Sequence, residues 1–487
     1  MMIKNEHLSD PNQPSYLEKQ QAAMEFIDLV NKLWLETGVE LVLFRQQLVD
    51  RRVSVILNLH HSSSHYLNRE LTIFDTLPLV RLLEEVYLPA ARVDLGKLLI
   101  EALDEGDGSL DNLELKDFLV RKLCHAHKWP EINPRDVVLF GFGRIGRLLA
   151  RELIGKEGAG RQLRLKAIVT RDEVNYKNLQ KRASLLEFDS IHGDFEGTVL
   201  IDEDQGALII NGVKVYVLQG NHPSEVDYQS KGINNAVLVD NTGAFRDHES
   251  LSFHLKAKGI SEVILTAPGK GVPNIVYGVN HEEYSPKEGH VFSAASCTTN
   301  AIVPILKVVQ EELGIEKGHI ETIHAYTNDQ NLVDNMHKKH RRGRAAALNM
   351  VITETGAGSA VAKVIPELDG KLTSNAIRVP VPNGSLAILN LSLKKQVDVA
   401  SINAILKNSA LYGDLVEQIK YSVQQELVSS DIVGTTASSV VDSAATVVSE
   451  DGKQVNLYIW YDNEYGYMHQ VMRLLKHVAQ VRRFVYY

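Results

Sequence analysis

The run Val137-Val138-Leu139-Phe140 has buried-strand character and opens directly into Gly141-Phe142-Gly143-Arg144-Ile145-Gly146, after which Arg147 to Ile154 reads as a helix. No other feature constrains the fold of this chain as much. The first glycine permits a tight turn, the second lets the backbone approach a pyrophosphate, and the third lets helix and strand pack closely, with the phosphate on the helix N-terminus. A bare GxGxxG is weak, but between a strand and a helix it points to a dinucleotide-binding βαβ unit. Arg144 and Ile145 lie in the same turn. A second strand, Leu165 to Val169, ends in Thr170-Arg171-Asp172, where the ribose is read. Asp172 there would accept from the ribose hydroxyls of NAD, and Arg171 would suit the extra phosphate of NADP. Both stay open.

More apolar strands follow at Ala207 to Ile210, Val213 to Leu218, Ala236 to Val239 and Val263 to Thr266, closed by Asn241-Thr242-Gly243 and Ala267-Pro268-Gly269. Ligands of open parallel sheets bind beyond the strand C-termini, so Thr242 and Thr266 are expected to face the cofactor. The next strand-like run delivers Ser293-Ala294-Ala295-Ser296-Cys297-Thr298-Thr299-Asn300 to that edge. Cys297 is one of two cysteines in 487 residues. A lone cysteine more often behaves as a small buried hydrophobe. Here short hydroxyl and amide neighbours at a helix start favour a thiolate, and His324, ending the strand-like Ile320 to Ile323, supplies a base partner.

The remaining composition mainly excludes classes. A chain of this length suggests three domains. A net charge of -9 argues against a general nucleic-acid binder. Two cysteines make no disulfide framework, and neither a secretory h-region nor a run of the roughly 20 apolar residues of a membrane span is found, so the expected location is cytoplasmic. Before about residue 130 the pattern is helical. Ser15 and Glu18 form a capping box ahead of the face Ala23, Phe26, Ile27, Val30 and Trp34, and Val93, Leu95, Leu98, Leu99 and Ala102, then Leu115, Phe118, Leu119 and Leu123, give further helical stripes. Asp104 to Asp111 lacks the ligand register of a calcium loop, and Cys124, His125 and His127 lack zinc spacing, so no metal is expected.

The blocks Ala295 to Asn300, His324-Ala325-Tyr326-Thr327-Asn328-Asp329-Gln330, Arg342-Gly343-Arg344-Ala345-Ala346-Ala347, Arg378-Val379-Pro380 and Trp460-Tyr461-Asp462-Asn463-Glu464 stand in this order, with Gly141 to Gly146 and Phe188 to Gly193 upstream. From about residue 135 onward the chain resembles phosphorylating glyceraldehyde-3-phosphate dehydrogenase. The resemblance implies an α/β fold: a Rossmann dinucleotide-binding domain over 131–297, an α+β catalytic domain over 298–464, and a C-terminal helix over 465–487 completing the first. An all-helical N-terminal extension, 1–130, precedes them and has no counterpart in the ordinary enzyme. It further implies that Cys297 attacks glyceraldehyde 3-phosphate, that an imidazolium at His324 stabilises the thiolate and neutral His324 later takes a proton, and that inorganic phosphate cleaves the thioester. Thr327 and Arg378 would hold the substrate phosphate; Ser296, Thr298, Arg342, Thr355 and Gly356 the attacking one. Asn463 would orient the nicotinamide of NAD or NADP. A homotetramer is implied, with the loop around Asp334 to Arg344 approaching a neighbour's cofactor. Asn335-Met336 stands where NAD-preferring members commonly have Leu-Pro, leaving room for a 2'-phosphate, and Asn221-His222-Pro223 lacks the arginine often found beside the adenine. The rival readings are erythrose-4-phosphate dehydrogenase and a non-catalytic nucleotide-sensing regulator.

Overall fold

The computed structural model describes residues 14–487 except Asn68. The chain forms two compact units. The first holds the described residues up to Ile132 together with Lys156–Arg161 and Arg482–Tyr487, and the second holds Asn133–Gly155 and Gln162–Val481.

In the first unit, α1 (Tyr16–Lys32) starts at the Ser15–Glu18 capping box and buries Ala23, Phe26 and Val30. Helices α2 (Val53–Ser63), α3 (Ile73–Glu85), α4 (Leu95–Glu105) and α5 (Leu115–Leu123) follow. The extension is helical but not all-helical. Strands β1 (Glu40–Leu43), β2 (Gln46–Gln47) and β3 (Ala91–Asp94) join the C-terminal strand Phe484–Tyr486 in a sheet of order β2-β1-β3-C-terminal strand. All four residues of β1 are buried, so it shows none of the alternation that betrays a half-exposed strand. The helix expected over 465–487 stops at Val478 for a local reason. Gln480 takes a left-handed φ of 57°, and Val481 N and Gln480 N reach back to the Lys476 and His477 carbonyls, a Schellman closure. The β-favouring Phe-Val-Tyr then pairs in parallel with β3.

The captured segments are held by charge and close backbone contact. Glu40, 2% exposed, receives Lys156 Nζ at 2.7 Å and the Arg483 guanidinium, with Arg92 Nε 3.8 Å away. Trp34 lies under Arg483 and donates from Nε1 to the Glu157 carbonyl at 3.1 Å. Gly38 has φ 75°, and a Cβ there would stand 2.5 Å from the Gly160 backbone.

The second unit is built on two sheets. Strands β4 (Arg135–Phe140), β5 (Leu163–Thr170), β6 (Val199–Asp202), β7 (Ala207–Ile210), β8 (Val213–Gln219), β9 (Ala236–Asp240), β10 (Ile260–Leu265) and β11 (Val291–Ser293) make the first, ordered β11-β10-β9-β4-β5-β8-β7-β6. It is parallel from β11 to β8 and antiparallel at the β8-β7-β6 edge. Helices α6 (Arg144–Gly155), α7 (Tyr176–Glu187) and α8 (His248–Ser252) lie in its connections. The second sheet takes β12 (Ile315–Ala325), β13 (Val351–Thr353), β14 (Leu372–Val379), β15 (Ser385–Leu393), β16 (Ile419–Ser422), β17 (Ser439–Asp442), β18 (Val447–Val448) and β19 (Gln454–Tyr461) in the order β13-β14-β12-β15-β19-β17-β16, with β18 on β19. Its strands are mixed in direction. Helices α9 (Cys297–Glu312), α10 (Ala357–Ala362), α11 (Val399–Leu411) and α12 (Tyr465–Val478) complete it. Ile302, Ile305, Leu306 and Val309 of α9 share one core with Leu389, Leu391, Leu457 and Ile459 of the sheet. That burial fixes α9, and with it the position of Cys297.

Candidate active site

Cys297 is the first residue of α9, and Ser296 caps the helix by accepting from Thr299 N at 3.0 Å. The chain reaches it through Ala295, whose φ of 55° is left-handed and costs an alanine roughly 1–2 kcal/mol. Three contacts hold that turn. Ala295 N donates to Ser293 Oγ at 3.0 Å, Tyr467 Oη donates to the Ala295 carbonyl at 2.8 Å, and Asn300 Nδ2 donates to the Ala294 carbonyl at 2.8 Å.

His324 ends β12 with Nε2 at 3.6 Å from Cys297 Sγ. Arg378 is its parallel neighbour on β14, with Nη1 at 2.7 Å from His324 Nδ1 and 2.9 Å from the Ala325 carbonyl oxygen. Burial pushes the Cys297 thiol above its ordinary range, against the downward pull of Arg378 and of hydrogen bonds from Thr298. Burial and then the Arg378 charge push His324 down to about 3. Both shifts oppose the thiolate–imidazolium pair that the resemblance implies: burial weighs most, and at the ring the charges of Arg378 and Arg342 add to it.

Both groups open on a cavity of about 490 Å³. Ser296, Thr298, Arg342, Thr355, Gly356 and Arg378 all line it, so six of the expected phosphate ligands are brought together. Thr327 is not among its lining residues; it lies in the turn after β12, its carbonyl accepting from Gln330 N. Thr298 Oγ1 is 3.1 Å from the buried Tyr461 Oη. Arg342 pairs with Asp329. The Nε atoms of Arg342 and Arg378 are buried with no partner among the described residues. Arg246, Lys339 and Lys363 add cations that sequence reasoning missed, against the one lining carboxylate, Glu354. Each sits outside the recognised blocks, and nothing in its local pattern marks it.

The glycine turn has the shape its residues predict. Gly141 has φ 96°, a Cβ on Gly146 would meet the Gly141 carbonyl at 2.5 Å, and a Cβ on Gly143 would stand in open space. Backbone access is thus kept where a pyrophosphate needs it. Arg144 does not point free: it makes paired hydrogen bonds to Asp189 and to Glu464. These tie the turn to the loop carrying Asn463, whose Oδ1 accepts from Ser385 Oγ at 2.8 Å. Thr242 gives its hydroxyl to Asp240 Oδ1 and Thr266 gives its own to the Asp240 backbone carbonyl, while Asp240 Oδ2 is 3.0 Å from the buried His254 Nε2. Arg171 and Asp172 are exposed beyond β5, with Asp172 paired to Arg182. Among the described residues no His, Cys, Asp and Glu cluster is arranged to hold a metal ion, and no helix is long and apolar enough to cross a membrane.

Comparison with known proteins agrees with this geometry. The family model for the glyceraldehyde 3-phosphate dehydrogenase NAD binding domain matches residues 135–248, and that for the C-terminal domain matches residues 296–463. The chain belongs to the glyceraldehyde-3-phosphate dehydrogenase family. It is 41% identical over 340 residues to a glyceraldehyde-3-phosphate dehydrogenase of Geobacillus stearothermophilus, covering 70% of this chain and 96% of that one. Against the enzyme of Clostridium pasteurianum the identity is 41%, over 71% of this chain and 99% of the relative. A glyceraldehyde-3-phosphate dehydrogenase-like protein of Pseudomonas aeruginosa is 48% identical over 93% of this chain and 98% of its own length, a match that runs into the residues before Arg135. As a member of this dehydrogenase family the chain is an oxidoreductase that uses NAD(P), and its glycine turn fits that cofactor.

Proposed function

We propose that this protein is a phosphorylating glyceraldehyde-3-phosphate dehydrogenase that converts D-glyceraldehyde 3-phosphate and inorganic phosphate to 1,3-bisphosphoglycerate through a thioester on Cys297. The observation that carries the reading is the Cys297–His324 pair at 3.6 Å in a cavity lined by five cationic side chains and one carboxylate. Such a site suits two phosphate groups.

Cys297 Sγ attacks the aldehyde carbon, and His324 Nε2 takes the proton that must leave before the carbonyl re-forms as a thioester. NAD(P), bound at the glycine turn, takes up the hydride. Ser296, Thr298, Arg342, Thr355 and Gly356 then hold inorganic phosphate for attack on the thioester, while Arg378 and Thr327 bind the substrate phosphate. Attack releases the Cys297 thiolate and leaves the acyl phosphate. The raised thiol pKa makes the neighbouring base necessary, which is consistent with a His324 that stays neutral.

Cytoplasmic location and a homotetramer belong to the same proposal. Support for assembly comes from apolar side chains exposed on the loop after β12, among them Leu332, Val333, Met336, Leu348 and Met350. The decisive assay measures NADH or NADPH formation from glyceraldehyde 3-phosphate with and without inorganic phosphate, beside Cys297→Ser. Phosphate-dependent turnover lost in the variant is the expected result, and the faster cofactor identifies whether Arg171 or Asp172 reads the ribose. Turnover independent of phosphate, or faster with erythrose 4-phosphate, would sink the proposal.

A further inference from the structure

Asn463 is linked to the reacting centre through one side chain: Ser385 Oγ donates to Asn463 Oδ1 at 2.8 Å and accepts at 3.1 Å from Ala325 N, the residue after His324. With Oδ1 taken by Ser385, Nδ2 is the group left to meet a carboxamide oxygen. The backbone on both sides of Asn463 is pinned. Before it, Asp462 is 1% exposed and accepts from Asn383 Nδ2 at 2.9 Å, Gly434 N at 2.8 Å, Glu464 N at 2.9 Å and Tyr465 N at 2.7 Å. After it stands Glu464. This is the N-cap residue of α12, yet its carboxylate bonds none of that helix's N–H groups. It reaches away instead, to Arg144 Nε at 2.7 Å, Arg144 Nη2 at 2.6 Å and His192 Nε2 at 2.8 Å. Arg144, the first residue of α6, stands in the glycine turn 320 residues earlier. Its other two bonds go to Asp189 at 2.8 and 3.1 Å. Four of the five guanidinium N–H groups are thus engaged, so the fork cannot turn without losing several charge-assisted bonds together. Burial works against the Glu464 charge, but His192 and Arg144 outweigh it and hold the carboxyl below its ordinary range.

We propose that Glu464 is a positioning residue for the nicotinamide: held by Arg144 and His192, it ties the loop that carries Asn463 to the turn that binds the pyrophosphate, so the two meet the cofactor as one rigid piece. This rests on the dehydrogenase reading above and on the nicotinamide contact implied for Asn463. Glu464 acts through its neighbour, by fixing where the Asn463 amide stands. Gln at position 464 keeps the shape but sets an amide N–H₂ against Arg144 and His192 groups that are themselves donors. The loop is then released while Asp189 still holds Arg144 and the glycine turn. Affinity for the nicotinamide end is lost, and affinity for the pyrophosphate and adenosine end is kept.

The test compares two ligands that differ at the nicotinamide. ADP-ribose keeps the adenine, both riboses and the pyrophosphate of NADH and lacks only that ring. Dissociation constants for the two are measured by titration calorimetry on the wild type, Glu464→Gln and His192→Asn, with NADPH and 2'-phospho-ADP-ribose as the pair if the wild type binds NADPH more tightly. Glu464→Gln should weaken NADH by roughly tenfold or more and ADP-ribose by less than about twofold, since a lost hydrogen bond to a charged group is worth about that much. His192→Asn, which removes one of the three bonds to the carboxylate, should show the same selective loss to a smaller degree. A role confined to stability weakens both ligands alike. Equal losses for NADH and ADP-ribose, or no loss for either, overturn the proposal. Should Glu464→Gln fail to fold, His192→Asn decides by the same comparison. Wild type that binds NADH but does not oxidise glyceraldehyde 3-phosphate overturns the assigned reaction instead, and the binding ratios still judge Glu464.

Discussion

Replacing Glu40 by Gln tests what holds the first unit together. The carboxylate is 2% exposed and is met by Lys156, Arg483 and Arg92, which come from two segments far apart in sequence as well as from β3. Gln keeps the shape and removes the charge, taking from the buried Arg483 guanidinium the carboxylate it pairs with. Breaking a buried ion pair from one side costs roughly 3–5 kcal/mol, because the remaining charge has already given up its water. For a unit of this size each kcal/mol moves the midpoint by about 3–5 °C, so its melting should fall by roughly 10–20 °C. Trp34 reports this directly, since it lies under Arg483 and bonds to the Glu157 carbonyl. Its fluorescence transition should move to lower temperature while cofactor-binding capacity melts where it did before. The double variant Glu40→Gln with Arg483→Met should recover part of the loss, because an apolar side chain needs no counter-ion. A Glu40→Gln protein whose Trp34 transition moves by less than about 3 °C would mean the cluster is solvated and that burial of the captured segments rests on something else.

Acid unfolding gives a second measurement. His324 is pushed down to about 3 in the folded protein but titrates near 6.5 when unfolded, so the unfolded chain binds the extra proton first and stability is lost as pH falls below 6.5. Between pH 6.5 and 4.5 the wild type should lose roughly 2–3 kcal/mol more than His324→Asn in urea titrations, and equal slopes would contradict a buried neutral imidazole. Tyr461→Phe strips Thr298 Oγ1 of its hydroxyl partner, which should cost about 1–2 kcal/mol of stability and raise the KM for inorganic phosphate severalfold with little change in the KM for the aldehyde. Gly146→Ala drives a Cβ to 2.5 Å from the Gly141 carbonyl and should weaken NADH binding, followed by fluorescence, by about tenfold or more.

Much of this was legible in residue order alone, and the exceptions share a cause. The strand–glycine–helix unit at Val137 to Ile154 is local chemistry, so its geometry follows from its sequence. Cys297 and His324 lie 27 residues apart, and a cysteine at a helix start with a histidine at a strand end of a dinucleotide-binding chain gave the reason to pair them, which the recognised blocks then strengthened. What no local pattern carried was the left-handed Ala295, which depends on Tyr467 and Asn300 to hold it, and the register that sets Arg378 beside His324. The downward push on His324 is likewise invisible in residue order, because burial and the two arginines are properties of the assembled cavity. Strands β1 and β3 are only four residues long and nearly wholly buried, so neither shows alternation, and Val93, expected in the helix that follows, lies in β3.

The sheet of the first unit is completed by Phe484–Tyr486, so its β3 edge stays open until those residues have been synthesised. The pairing joins residues almost 400 positions apart in sequence, a slow, high-contact-order closure. A fragment ending at Ile132 would carry that unpaired edge and no counter-ions for Glu40 from Lys156 or Arg483, and so should aggregate when expressed by itself.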